Sequence, residues 1–377
     1  MTNEQTVPLS RPDITDLERE AVVSVLRTDR LSLGPKLAEF EQAVANFVGS
    51  KHAVAVSSGT SALHLAMLAC GVGPGDDVIT TPFSFVASAN SVLFVGAKPV
   101  FVDIEDTTLN ITAGAIEGAI TERTKVILPV HVFGRPCDMV PIQALARRYK
   151  LEIVEDACEA IGARVGGRFV GTWGRCGTFA FYPNKQITTG EGGALVTDDD
   201  AVEALCRSLR NQGRSSMGRW LYHERLGYNY RLSDIACALG IAQMKRISEI
   251  LERRAQVARW YVEYLRDIPD VTPPACAEGD QVISWFVFVI RVSEDRAGER
   301  DRIRECLEGQ GIASAAYFPP IHLQPFYRER FGYSEGDFPV TEKAARSTIA
   351  VPFFTRMTEE QVRRVCDGLR AALRLAT

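Results

Sequence analysis

Short apolar runs alternate with segments of helical periodicity through the first half of the chain. Residues 52–56 are an apolar run, a serine and glycine turn follows at 57–61, and apolar positions then recur at helical spacing over 62–70. The same alternation predicts further strands at 77–81, 99–104, 125–130, 151–156, 177–182 and 193–197. Strands that alternate with helices pack as a mostly parallel sheet covered on both faces. The pattern therefore predicts a large α/β domain.

Helical patterns flank this region at both ends. Thr15 and Glu18 form a capping-box signature before the first helix. A long helical pattern covers 234–265, and a proline-rich break separates it from a strand-like segment at 284–292 and a further helical segment. These later elements predict a smaller C-terminal α+β domain. We place the boundary within the long helix, which divides the chain into domains 1–246 and 247–377.

Composition narrows the class of protein without naming a partner. The 377 residues are 46% hydrophobic, and 43 basic against 47 acidic residues give a net charge of -4, so no strong field favours nucleic acid or a membrane surface. The nine cysteines are scattered without a CxxC pair, which favours reduced thiols and no metal site. With no signal-like start and no long apolar run, we expect a cytoplasmic protein.

The most informative pair is Asp156 at the end of an apolar strand and Lys185 after another strand, 29 residues later. Ligands of parallel sheets collect beyond the carboxyl ends of the strands, so both side chains can reach one crevice. Pyridoxal 5'-phosphate (PLP) needs such a pair, because a lysine amine forms a Schiff base with its aldehyde while a carboxylate keeps its pyridine nitrogen protonated. Taken singly, a strand-end aspartate is often a cap and a lysine in a turn is usually solvated.

A phosphate cradle is predicted at Ser57-Ser58-Gly59-Thr60-Ser61, between a strand and a helix. Backbone N–H groups, hydroxyls and a helix N-terminus all favour an anion there. The same sequence is also typical of an ordinary helix cap. The interpretation as a phosphate site is therefore supported only in combination with Asp156 and Lys185.

Along nearly its whole length the chain resembles the DegT/StrS-type aminotransferases, which act on nucleotide-linked keto sugars or cyclitol ketones. The segments that carry the resemblance are PLSRPDI, LGPK, SSGTSALHLAML, GVGPGDDVIT, GAKPVFVDI, EDACEAIGA, FAFYPNKQITTGEGGALVT, LGYNYRLSD and YFPPIHLQPFY. The resemblance implies the fold-type I PLP aminotransferase architecture, with a mostly parallel seven-stranded sheet between helices and a smaller C-terminal α+β domain. It also implies a homodimer whose active sites lie at the subunit interface.

The resemblance assigns roles to individual cofactor residues. Lys185 matches the Schiff-base lysine, Asp156 the pyridine partner and Phe85 the aromatic ring that stacks on the cofactor. Gly59, Thr60 and Ser61 match the phosphate cradle, Glu159 falls where a glutamine commonly lies near the cofactor's phenolic oxygen, and Asn229 resembles a residue that reaches the neighbouring subunit's phosphate.

One departure affects the phosphate site. The family often has a serine five residues before the lysine, and this chain has Ala180. Thr178 and Asn229 are both candidates to replace it, and the sequence does not choose between them.

On the substrate side, the resemblance points to Tyr317 and His322 from the smaller domain. Arg231 is a candidate for an anionic group because guanidinium forks bind phosphate and carboxylate well, and Arg210 and Arg214 share that chemistry. We interpret His131 as a structural histidine.

The resulting hypothesis is an aminotransferase with a ping-pong aldimine and ketimine mechanism and pyridoxamine phosphate as an intermediate. The donor implied by the resemblance is glutamate or glutamine, and the acceptor is a keto group of a nucleotide-linked sugar. A cyclitol or other antibiotic-pathway ketone is the alternative acceptor. Other PLP chemistry, such as decarboxylation, desulfuration or lyase chemistry, and a non-catalytic regulatory protein of the same fold also stay open.

Overall fold

The computed structural model describes residues 6–215 and 221–375. Its first seven helices are α1 (Asp16–Leu26), α2 (Pro35–Val48), α3 (Gly59–Ala69), α4 (Ala87–Phe94), α5 (Ala113–Gly118), α6 (Met139–Tyr149) and α7 (Asp200–Arg210). The strands among them are β1 (His52–Val56), β2 (Asp77–Thr80), β3 (Lys98–Phe101), β4 (Thr124–Ile127), β5 (Glu152–Asp156), β6 (Arg164–Val165), β7 (Arg168–Phe169), β8 (Cys176–Ala180) and β9 (Gly193–Thr197).

Seven of these strands form one sheet in the order β1-β9-β8-β5-β4-β2-β3. Its pairs are parallel except those that β9 makes with β1 and β8. One face packs against α2 and the later helix α8 (Asp234–Lys245) through Phe40 and Ile241. The opposite face packs against α3 and α7 through Leu63 and Val202. Because both faces are buried, the strands are continuous apolar runs, and the predicted mostly parallel α/β sheet is confirmed.

The predicted capping box at the start of α1 is confirmed. The backbone N–H of Thr15 donates to the Glu18 carboxylate at 2.6 Å. Glu18 is fully buried and also accepts hydrogen bonds from Gln243 and Arg246. Burial raises the pKa of Glu18, but the hydrogen bonds from Thr15, Gln243 and Arg246 outweigh it and lower the pKa to about 2. The first helix is thereby fixed to the end of α8.

The long helical pattern at 234–265 is two helices, α8 and α9 (Ile247–Leu265), because Arg246 between them has φ -109° and ψ 4°. Its guanidinium donates to Asp13 at 2.7 Å and to Glu18 at 2.9 Å, which holds the break in place. The predicted strand at 284–292 begins later, at Phe288. The residues before it are diverted, since the N–H of Ser284 donates to the Gly134 carbonyl at 2.9 Å.

The C-terminal part forms a second core beyond α9. It contains β10 (Val271–Thr272), β11 (Phe288–Val292), α10 (Arg300–Gly309), α11 (Pro325–Phe331), α12 (Pro339–Ser347), β12 (Thr348–Val351) and α13 (Glu359–Leu375). β11 is central in an antiparallel sheet with β10 and β12, and Phe288 packs with Tyr261 and Leu369 beneath it. The domain boundary near residue 246 stays a prediction. None of the described helices combines the length and apolar character that a membrane span requires.

Candidate active site

Asp156 lies at the carboxyl end of β5 with only 4% of its surface exposed. The hydroxyl of Ser88, on α4, donates to one carboxylate oxygen at 2.7 Å, and the backbone N–H of Cys158 donates to the other at 3.1 Å. A carboxylate offers about four acceptor positions, so each oxygen retains one for a further donor. Asp156 is therefore fixed in orientation and able to hold a protonated ring nitrogen.

Lys185 lies in the turn between β8 and β9, and its side chain faces Glu159 and Phe286. Its ammonium nitrogen is 3.8 Å from the centroid of the Phe286 ring and 3.5 Å from a carboxylate oxygen of Glu159. Only 12% of the lysine side chain is exposed. The amine is thus shielded from water by a ring and held by one charged neighbour.

Glu159 links this lysine to the loop after β4. Its second carboxylate oxygen accepts the backbone N–H of Phe133 at 2.9 Å. Burial raises the pKa of Glu159, the positive charge of Lys185 opposes that rise, and the negative charge of Asp156 adds to it. The charges of both predicted catalytic residues therefore act on Glu159, and one of them, Lys185, contacts it directly.

Gln186 was not predicted from the sequence to be a site residue. Its side-chain amide stabilises the turn that contains Lys185. It is buried, and its side-chain nitrogen donates to the Glu159 carbonyl at 2.7 Å and to the carbonyl and hydroxyl oxygens of Ser284 at 2.8 and 2.9 Å. A glutamine in a turn normally faces solvent, so the sequence held no signal for this role.

The predicted cradle forms the first turn of α3. The hydroxyl oxygen of Ser58 caps the helix by accepting the Ser61 N–H at 3.0 Å. A Cβ added to Gly59 would lie 2.7 Å from the Cβ of Ala180 and 2.9 Å from the sulfur of Cys158. Only glycine lets the helix start approach β8 this closely. Thr60 is partly exposed in the same turn, so an N-terminal helix site for an anion adjoins the end of the sheet.

The two candidates to replace the family serine at Ala180 differ in accessibility. Thr178 is fully buried, and its hydroxyl donates to the Glu155 carbonyl at 3.3 Å. Asn229 is exposed, and the carbonyl of the next residue, Tyr230, accepts the N–H of Ser57 at 2.9 Å. The greater exposure of Asn229 therefore favours it over Thr178 as the residue that replaces the family serine.

Phe85 precedes α4 and is 61% exposed, which leaves its ring free to cover a ligand. Its carbonyl accepts the N–H of Ser88 at 3.3 Å. The turn that carries the ring therefore also carries the hydroxyl that holds Asp156.

The predicted substrate residues occupy different environments. Tyr317 lies beside this pocket: burial raises its pKa, and the charge of Glu159 contributes to the rise. Arg231 is partly exposed and donates to the Asn211 side chain at 3.0 Å. His322 has no exposed surface, and its Nε2 is 3.1 Å from a carboxylate oxygen of Glu342. A direct substrate contact by His322 would therefore require a change in local packing.

Two further basic residues are already engaged. Arg210 is buried and donates to the Glu41 carboxylate and to the Ala55 carbonyl, so it is not available to a ligand. His131 is fully buried: its Nδ1 accepts the N–H of Cys137 at 3.0 Å, so its Nε2 carries the proton and donates to Glu155 at 3.1 Å. His131 has the structural environment that we expected.

A mostly parallel sheet with a lysine, a strand-end carboxylate, a helix N-terminus and an exposed aromatic ring at its carboxyl edge defines a PLP-dependent enzyme of fold type I. The model of the DegT/DnrJ/EryC1/StrS aminotransferase family matches residues 12–370. The chain belongs to this family, and the prediction of a PLP-dependent aminotransferase is confirmed.

Individual relatives match the chain over nearly their full lengths. GDP-perosamine synthase of Caulobacter vibrioides is 39% identical over 99% of this chain and 100% of its own. A pleiotropic regulatory protein of Geobacillus stearothermophilus is 38% identical over 92% of this chain and 91% of its own. The PLP form of a putative sugar aminotransferase from Streptococcus pneumoniae superimposes with a TM-score of 0.94 at 28% identity, covering 99% and 100% of the two chains.

Proposed function

We propose that this protein transfers an amino group from glutamate or glutamine to a keto group of a nucleotide-linked sugar, in the cytoplasm and as a homodimer. The observation that carries the proposal is the Lys185 amine between Phe286 and Glu159, in a crevice whose strand-end carboxylate is Asp156. Similarity to GDP-perosamine synthase supports the nucleotide-sugar class.

The residues fit PLP. Asp156 has acceptor capacity for the pyridine nitrogen, Lys185 supplies the amine for the aldehyde, and the turn at 57–61 offers a helix N-terminus whose close approach to β8 requires glycine at position 59. Phe85 would supply the stacking ring, and Glu159 would contact the phenolic oxygen, as the family resemblance implies. Bound there, the cofactor supplies an electron sink for a carbanion.

The chain's own contribution to the reaction is a proton carrier in a shielded site. In the proposed cycle the Lys185 Nζ, once released as a free amine, moves a proton between the substrate carbon and the cofactor, as general base and then general acid. Phe286 and Glu159 exclude water from this amine and limit its movement. Ser88 and the Cys158 N–H keep Asp156 in place throughout.

Substitution of the lysine tests cofactor attachment directly. The wild-type protein, incubated with PLP and reduced with borohydride, should carry a pyridoxyl group on the Lys185 peptide by mass spectrometry, whereas Lys185→Ala should not. Asp156→Asn should retain the attachment but lose turnover, because the amide keeps the shape without the charge. Borohydride labelling of a different lysine, or full turnover in Lys185→Ala, would overturn the site.

A panel of ketones tests the acceptor. The protein loaded with pyridoxamine phosphate is mixed with nucleotide-linked keto sugars and with cyclitol ketones, and return of the PLP absorbance is followed. The proposal requires faster return with a nucleotide-linked sugar, and faster return with a cyclitol would support the alternative acceptor. The similarity to a pleiotropic regulatory protein favours a second candidate, a non-catalytic regulator, which binds PLP but turns over no member of either panel.

The proposed sharing of sites between subunits has its own test. Exposed apolar side chains at Leu26, Leu31 and Leu33 offer surface for a second copy of the chain. If Asn229 acts across the interface, mixed dimers of Lys185→Ala and Asn229→Ala contain one site with both native residues and regain activity. If Asn229 acts on its own chain, mixing restores nothing.

A further inference from the structure

A second cavity, separate from the active site, lies between the large α/β unit and the β11 sheet. Its volume is about 550 Å³, and its wall combines residues 106–109 and 132–135 with β11 and α12. None of the residues assigned above to cofactor or substrate lines it. Phe133 does, and its backbone N–H holds Glu159 on the other side of the wall. The volume lies within the range of small-molecule pockets.

The lining of this cavity is largely apolar. Trp285, Val287 and Val289 contribute a continuous surface from β11 and the residues just before it. Phe288 and Ile290 alternate with Val287 and Val289 and pack into the C-terminal core, against which Trp285 also packs. Val287 and Val289 are only 8% and 4% exposed because their face also packs against Phe286 and Ala350, so the cavity adjoins part of that face.

The charges at the cavity are unbalanced. Arg291 is paired with Asp106 at 2.6 Å, and Lys343 is paired with Glu294 at 2.8 Å. Arg135 lines the same cavity, is only 6% exposed, and has no carboxylate within ion-pair distance among residues 6–215 and 221–375. Arg346 is paired at 3.9 Å with Glu342, which does not line the cavity, so Arg135 is the basic residue of the lining without a carboxylate partner in the described part of the chain.

Arg135 also has unused hydrogen-bonding capacity. Its Nη2 donates to the carbonyls of Ala275 and Cys276, whereas its Nη1 is buried with no hydrogen-bond partner in the described part of the chain. A buried donor without a partner costs about 1–3 kcal/mol, more when it is charged. Burial lowers the pKa of Arg135, and the distant charge of Glu278 opposes this without removing it. An anion in the cavity would compensate the charge.

We propose that this cavity is a second ligand site, which takes a small organic anion with an apolar or aromatic body. The acidic group pairs with Arg135, and the body lies against Trp285 and Val289. Carboxylates and phosphates share the required chemistry, so both belong among the probes. The site goes beyond the proposed transamination and does not depend on its acceptor.

The test uses the PLP-loaded protein and three anions: 8-anilinonaphthalene-1-sulfonate, benzoate and phenyl phosphate. We expect saturable binding of the sulfonate with energy transfer from tryptophan that falls in Trp285→Phe, displacement by benzoate or phenyl phosphate, and no displacement by neutral benzyl alcohol. Inorganic phosphate alone should compete more weakly than phenyl phosphate, because it lacks the apolar body. The PLP absorbance should stay unchanged, which distinguishes this cavity from the active site.

Two variants locate the binding. Arg135→Gln removes the charge and Val289→Phe fills the cavity, and each should weaken binding by roughly 10- to 100-fold. Arg148→Gln, at an exposed arginine outside the cavity, should leave binding unchanged. If Arg135→Gln fails to fold, Val289→Phe decides. Binding that survives both variants, binding that releases PLP, equal competition by benzyl alcohol, or no saturable binding of any anion would overturn the proposal.

Discussion

Gly59→Ala should both destabilise the protein and weaken cofactor binding, because the first turn of α3 has no room for a side chain. The added Cβ would lie 2.7 Å from the Cβ of Ala180 and 2.9 Å from the sulfur of Cys158. Carbon atoms in contact prefer about 3.5–4.0 Å, so the helix start must move by roughly 1 Å. Overpacking of this kind costs about 1–3 kcal/mol.

The same displacement acts on the cradle. Hydrogen bonds from backbone N–H groups to an anion weaken beyond about 3.2 Å, and each charge-assisted bond contributes about 1.5–3 kcal/mol. Loss of one such bond weakens PLP binding by about 10- to 100-fold. Urea unfolding of the apoprotein measures the first effect, and titration with PLP followed by absorbance measures the second.

A rescue variant and a control make this prediction specific. Ala180→Gly removes the nearer of the two contacts, so Gly59→Ala with Ala180→Gly should recover much of the stability and affinity. Gly114→Ala alters another glycine near a helix start, where a Cβ meets nothing within 4 Å, and should have little effect on PLP binding. Unchanged stability and affinity in Gly59→Ala, or no recovery in the double variant, would refute the packing argument.

Three further predictions concern groups that are buried and hydrogen-bonded. Because the pKa of Glu18 is lowered to about 2, its contribution to stability should be complete above about pH 5 and should decline as the pH falls from about 4.5 toward 2. In urea unfolding at different pH values, Glu18→Gln should reduce this decline. Glu41→Gln leaves buried Arg210 without its carboxylate and should lower the free energy of unfolding by about 3–5 kcal/mol. Ser88→Ala removes the donor to Asp156 and should weaken PLP binding about tenfold in an absorbance titration.

Two control variants in the chain cover these predictions. Ser91→Ala removes a hydroxyl that donates only to a carbonyl of its own helix and should leave PLP binding intact. Asp16→Asn breaks an exposed pair with Arg19 and should change stability by less than about 1 kcal/mol. A pH profile of Glu18→Gln that matches the wild type, or equal effects from Ser88→Ala and Ser91→Ala, would contradict the assigned contacts.

The elements whose apolar pattern matched their burial were predictable, and the misplaced boundary results from contacts with residues distant in the sequence. β1 and β9 have the predicted bounds because both faces of these strands are covered. The strand expected at 284–292 loses its first residues because Arg254 holds the carbonyls of Trp285 and Phe286 at 2.7 and 2.6 Å. The hydrophobic periodicity of a segment cannot indicate a hydrogen-bond partner that comes from another helix.

Strand runs and short motifs are local properties of the chain, so the sequence alone was enough to predict the sheet, the family and the pairing of Lys185 with Asp156. How those groups are held depends on contacts between distant segments. Gln186 acts on the lysine turn through Ser284, which is 98 residues away, and Phe286 reaches the lysine amine from beyond α9. The burial of His322 and the uncompensated charge of Arg135 likewise depend on which distant segments pack around them. Desolvation and hydrogen-bond satisfaction depend on the packed environment, so they cannot be predicted from residues adjacent in the sequence.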